Sequence, residues 1–195
     1  LMRYVIYGPP GTGKTTFLLN RLEEYLARGV HPTKIGFISF TRKAAYEARD
    51  RAISRFGFGE EDTPYFRTLH SLAFRQLGLS HHQVMQRAHY LDLADKLGIE
   101  IRAHLDMAEG SLIGSLPGDY LVFLDSLARL RCIPLKEQWE HTNDERIDWH
   151  ELDLVSRSLT EYKKRHLLLD YTDMLERCYV EGSLPQLDVL FVDET

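Results

Sequence analysis

The sequence predicts an α/β fold in which a parallel sheet carries helices on both faces and is interrupted by an all-helical insertion. Three features carry that prediction. Apolar strand-like runs alternate with helical periodicity at both ends of the chain. A glycine-rich loop, Gly8-Pro9-Pro10-Gly11-Thr12-Gly13-Lys14-Thr15, joins the first run to the first helix, and a long middle stretch shows helical periodicity alone.

In order, Tyr4-Val5-Ile6-Tyr7 is a short apolar, β-branched run with the profile of a buried parallel strand. From Lys14 the period changes, with Leu18, Leu22, Tyr25 and Leu26 at three- and four-residue spacing, and Gly29 and Pro32 end that helix. Ile35 to Phe40 reads as a second strand, and Ala45, Ala48, Ala52 and Phe56 mark the helix after it. A polar loop over 57–64 leads to a short strand at Tyr65-Phe66-Arg67 and a helix holding His70.

Between about Ser80 and His166 strand signals vanish. Leu121, Leu124 and Ala128 share one helical face, and Leu152, Val155, Leu159 and Tyr162 another, with breakers at Gly98, Gly110, Gly114, Pro117 and Pro134. The α/β pattern resumes with a helix over 171–180 and a strand over 187–192 that ends in Asp193-Glu194.

The chain has 195 residues, 44% hydrophobic and 27% charged, with a net charge of -5. That composition suits a globular protein and excludes one that is basic throughout, so any nucleic-acid surface is a local patch. Cys132 and Cys178 form no metal-spaced pair and read as reduced, partly buried thiols. No apolar run is long enough to span a bilayer, and no targeting segment is evident, so the expected setting is cytoplasmic, in a bacterial or phage-infected cell.

Gly8-x-x-x-x-Gly13-Lys14-Thr15 matches the Walker A pattern completely. Its glycines let backbone N–H groups approach phosphate oxygens, and the helix that begins there adds its positive end. Residues 8–16 (Gly8, Pro9, Pro10, Gly11, Thr12, Gly13, Lys14, Thr15 and Thr16) are the candidate ATP cradle. Lys14 reaches the β- and γ-phosphates, and the Thr15 hydroxyl holds Mg²⁺. Asp193 at a strand tip fits Walker B as the second Mg²⁺ group, and Glu194 is placed to orient or deprotonate the attacking water. Lys14 and Glu194 are thus the catalytic candidates.

Four further segments resemble the superfamily 1 helicases of the UvrD/Rep type. Ser39-Phe40-Thr41-Arg42-Lys43-Ala44-Ala45 is similar to that family's motif Ia, with Arg42 where Asn is usual. Arg67-Thr68-Leu69-His70-Ser71 resembles its Thr-Phe-His-Ser segment, and Asp170-Tyr171-Thr172-Asp173-Met174-Leu175 the stretch before motif II, which Val192-Asp193-Glu194 completes. The resemblance implies a first RecA-like domain over 1–79 and 167–195, with 80–166 as an inserted helical subdomain. It implies ATP-driven movement along single-stranded DNA or a single/double-strand junction, in the 3′ to 5′ direction that the family favours, and DNA contacts from Phe40, Thr41, Arg42 and His70. On residue type alone, Phe40 equally suits a core position, His70 a helix-start hydrogen bonder and Arg42 a solvated charge.

The glutamine that reads adenine in that family has no counterpart before the loop, and the family's later motifs and second RecA-like domain are absent. Met2 reads as the natural initiator and the abrupt end as a C-terminal truncation. The strand that normally separates the Walker A and Walker B strands is then missing, and a fragment marginal on its own, inactive or stabilised by pairing is expected. Two alternatives stand beside this reading: an AAA+ remodelling ATPase, which shares the loop but brings Walker B much sooner, and a non-catalytic nucleotide-binding scaffold.

Overall fold

The computed structural model describes residues 4–9, 11–102, 104–106, 111–113, 116–182 and 185–193. The chain divides into two compact units, one from residues 1–72 with 183–195, the other from 73–182.

The first unit is built on a parallel sheet. Strand β1 (Ile35–Ser39) is buried along its whole length and pairs with β2 (Phe66–Thr68) on one edge and β5 (Val189–Asp193) on the other. The register sets Phe37 opposite both Phe66 and Phe191, so three rings meet on one face, with centroids 6.0 to 6.5 Å apart. Helix α1 (Lys14–Ala27) packs Leu19, Leu22 and Leu26 into that ring cluster, and α2 (Arg42–Phe56) adds Ala48 and Ala52. The alanine stripe lets α2 lie close to the sheet. On the opposite face, Gly36 leaves the room that Leu187 and Leu190 occupy, since a Cβ there would come within 2.8 Å of both side chains.

One expected strand is not formed. Residues 4–7 are without strand pairing and exposed, Tyr7 by 89%. Apolar, β-branched residues favour a strand only where a neighbour accepts their backbone hydrogen bonds. Among the described residues the sheet order is β2-β1-β5, and residues 4–7 are not one of its strands.

The second unit is mainly helical: α4 (Arg87–Leu97), α5 (Pro117–Leu130), α6 (Leu135–Thr142), α7 (Trp149–His166) and α8 (Tyr171–Glu181), after α3 (Leu69–Gln76), which runs in from the first. The insertion is not all-helical, because β3 (His104–Asp106) and β4 (Ser111–Ile113) form an antiparallel hairpin. Strands of three residues fall below the length at which alternation can be read. Leu121 and Leu124 of α5 meet Leu152, Val155 and Leu159 of α7 in one apolar core, as their spacing predicted. Proline at the first position of α5 starts that helix rather than breaking it. Cys132, expected to be partly buried, is exposed in the turn after α5, while Cys178 is half-buried.

A buried ion network crosses this unit. Arg129 of α5 donates to both carboxylate oxygens of Asp170, at 2.8 and 3.1 Å, and to Asp173 at 2.6 Å. Lys163 of α7, only 7% exposed, reaches Asp170 at 2.5 Å and Asp173 at 2.7 Å. Asp170 also caps α8 by accepting from the Asp173 N–H, and Asp173 accepts from the Asp170 N–H, so a capping box sits inside the charge cluster. Burial pushes Asp170 up, but Lys163 and Arg129 outweigh it and hold this carboxyl well below its ordinary range. Asp173 is raised, by burial first and then by the charge of Asp170.

Candidate nucleotide and nucleic-acid site

The glycine-rich loop lies at the N-terminus of α1, where Gly11 and Gly13 adopt positive φ of 78° and 79°. Only glycine takes that backbone without strain, and Gly13 is the residue that caps the helix. Within the loop Thr12 Oγ1 donates to Pro9 O at 2.8 Å, and a Cβ at Gly8 would stand 2.6 Å from that hydroxyl. The Lys14 ammonium arches back over the loop, donating to Gly8 O at 2.8 Å and Pro9 O at 2.9 Å. Thr16 is exposed beside it, and Pro10 lies outside the described residues.

At the other end of the chain, β5 delivers Asp193 to its C-terminal tip, where the side chain is buried. Thr15 Oγ1 donates to Asp193 Oδ2 at 2.9 Å. A hydroxyl from the start of α1 and a carboxylate from the last described strand thus meet. Both are hard oxygen donors, beside a loop whose positive-φ glycines clear space at a helix N-terminus, which fits a magnesium-bound polyphosphate. Glu194 lies outside the described residues.

The second group of candidates follows β1 and β2. Phe40, at the end of β1, is 46% exposed, which removes the core reading for its ring. Thr41 caps α2, its hydroxyl accepting from the Ala44 N–H at 3.4 Å, and Arg42 is exposed in the first turn. His70 lies in the first turn of α3, beside Ser71, whose N–H is capped by Thr68 Oγ1. Burial lowers the His70 pKa to about 4, so near neutral pH it is an uncharged hydrogen-bonding group and not a phosphate-pairing cation.

Residues 2–183 match the UvrD/REP helicase N-terminal domain family. The chain belongs to that family. No curated protein matches it closely. As a UvrD/Rep-type helicase domain it is of an ATP-binding family, and the mixed α/β architecture with its parallel sheet is RecA-like. Membership in this family removes the AAA+ alternative. Among the described residues no helix is long and apolar enough to cross a membrane.

Asp170 and Asp173 of this UvrD/Rep-type domain do more than cap a helix: they pair with Arg129 and Lys163. No sequence signal marked Arg129 as a hub, because apart from Asp125 one turn away its partners lie more than 40 positions along the chain.

The displaced pKa of His70 has a measurable consequence. A folded-state value below the ordinary 6.5 means the unfolded chain binds the proton first, so stability falls as pH drops from about 6.5 towards 4. The loss is up to roughly 3 kcal/mol. Denaturant titrations of wild type and His70→Gln across that range should converge at low pH, and parallel curves would show that His70 is not held neutral.

Proposed function

We propose that this chain is the ATP-binding first RecA-like domain of a helicase that couples ATP hydrolysis to movement along single-stranded DNA, 3′ to 5′, and so separates duplex. In this reading residues 1–79 and 167–195 form the RecA-like domain and 80–166 its inserted subdomain. The observation that carries it is the 2.9 Å hydrogen bond from Thr15 to Asp193, which joins the Walker A and Walker B positions in a UvrD/Rep-family chain.

Each residue then has a task. The glycines of the loop admit the phosphates, and Lys14 neutralises charge on the β- and γ-oxygens. Thr15 and Asp193 would hold Mg²⁺, which supplies charge neutralisation at the transferring phosphoryl group. Glu194 orients the attacking water. Phe40 presents its exposed ring to a base, Arg42 faces phosphate, and Thr41 and His70 act as neutral hydrogen-bonding groups on the strand.

The position of β5 at the end of the sheet among the described residues and the exposed run at residues 4–7 support one more parallel strand seated between them. A second RecA-like domain of the same protein completes the nucleotide site, and closure of the two around ATP drives each step. The isolated chain is accordingly expected to bind nucleotide and hydrolyse it barely or not at all.

Titration calorimetry with ATP tests the site. Affinity should depend on Mg²⁺ and fall about tenfold or more in Asp193→Asn and Thr15→Val, the loss of at least one charge-assisted contact. Equal affinity in EDTA and in both variants would overturn the assignment.

A further inference from the structure

The outer face of α2 carries a pattern that the nucleotide site does not use. Arg42, Lys43, Tyr46 and Arg49 recur at three- and four-residue spacing and so lie along one stripe of the helix. The arginines further along are committed: Arg51 pairs with Glu47 at 2.8 Å and with Glu23 at 3.7 Å, and Arg55 with Glu23. Arg42 and Lys43 are exposed, and among the described residues neither has an acidic partner.

Between these cations and the middle of the helix stands Tyr46, an aromatic ring left 46% exposed on a helix whose inner face is packed alanine. The guanidinium of Arg49 sits 4.7 Å from the ring centroid, and is itself tethered to Asp50 at 3.6 Å and Glu60 at 3.9 Å. One side of the ring is therefore backed by a fixed cation, while much of its surface faces solvent. Beside it opens a hollow of about 580 Å³ lined by Lys43, Tyr46, Glu47, Asp50, Arg51 and Ser54.

The geometry points to Tyr46, backed by Arg49 and flanked by Lys43, as a second stacking platform for single-stranded nucleic acid, extending along α2 the path that begins at Phe40. It rests on the DNA-binding reading of residues 40–42. A single strand offers an exposed π-face at each nucleotide and a negative charge between bases, and ring, two unpaired cations, ring is the complementary order. Duplex offers no such faces, since its bases are stacked inside. The acids on the hollow do not oppose a strand strongly, because Asp50 faces Arg49 and Glu47 faces Arg51. The plain alternative is a solvated tyrosine that pairs with Arg49 one turn on, and it predicts no effect on binding.

Fluorescence anisotropy with labelled oligothymidylate decides between them. Tyr46→Ala should weaken binding roughly tenfold, the loss of one stacked base, while Tyr46→Phe keeps affinity within about twofold. Lys43→Gln should flatten the slope of log affinity against log salt by about 0.7. Irradiation of an oligonucleotide carrying 5-iodouracil should cross-link Tyr46. Because Tyr46 is exposed, the variants should melt with wild type. If Phe40→Ala weakens binding and Tyr46→Ala does not, the extension is wrong and the Phe40 reading stands. If the wild-type chain does not bind the oligonucleotide, both fall.

Discussion

Asp170→Ala should destabilise the helical unit by about 3–5 kcal/mol, lowering its melting temperature by roughly 10 °C or more. Asp170 is the shared anion of two buried cations, accepting twice from Arg129 and once from Lys163, and it also caps α8. Its removal leaves Lys163 and Arg129 with Asp173 as their nearest remaining anion, itself a carboxylate that burial disfavours. Asp173→Asn should differ sharply. It relieves repulsion against Asp170 and keeps an oxygen to accept from the Asp170 N–H, so a change within about 1 kcal/mol is expected.

The same pair sets the acid response. Asp170, depressed in the folded state, contributes stability that is present above its unfolded pKa near 3.8 and is lost as pH falls through the lower folded value. Asp173, raised in the folded state, works the other way: it costs stability at neutral pH and releases that cost as pH falls through its raised value. Acid titration of the Asp173 contribution should therefore come first and be favourable, and collapse should follow only below about pH 4. Both tryptophans, Trp139 and Trp149, lie in this unit with ring centroids 5.9 Å apart, so their fluorescence follows its unfolding. Equal destabilisation by Asp170→Ala and Asp173→Asn would show that the network has no central member.

Much of this was legible in the sequence where the determinant is local. The buried run Ile35–Ser39, the leucine spacing of α1 and the alanine stripe of α2 are all short-range patterns, and the structure realises each. Residues 4–7 have the same local pattern as β1 and form no strand, because pairing is decided by a neighbour that periodicity does not reveal. The approach of Thr15 to Asp193 was anticipated only because two motifs of one chemistry imply a common site. The neutrality of His70 and the hub at Arg129 depend on burial and on partners far along the chain, which no motif encodes.

Lys14→Ala should lower DNA-stimulated ATP turnover of the intact enzyme by about 100-fold or more, the scale of losing a preorganised charge at a developing anion. The ammonium is already held over the loop by Gly8 O and Pro9 O, so in the proposed site it would meet the β- and γ-phosphates without first being ordered. Alanine removes that charge and also two hydrogen bonds to the loop, so a structural loss must be separated from an electrostatic one. Thermal melts do this. Without nucleotide, Lys14→Ala should melt close to wild type, because Lys14 contributes no core contact and the loop is exposed. With magnesium and ATP, wild type should gain about 2.7 kcal/mol at a ligand concentration 100 times its dissociation constant, and the variant should gain far less. Lys14→Arg keeps the charge, but its planar guanidinium replaces a compact ammonium on a flexible stem and should restore binding more than turnover. Unchanged turnover in Lys14→Ala would remove the lysine from the phosphate site, and a large fall in melting temperature without nucleotide would mean that its hydrogen bonds, rather than its charge, hold the loop.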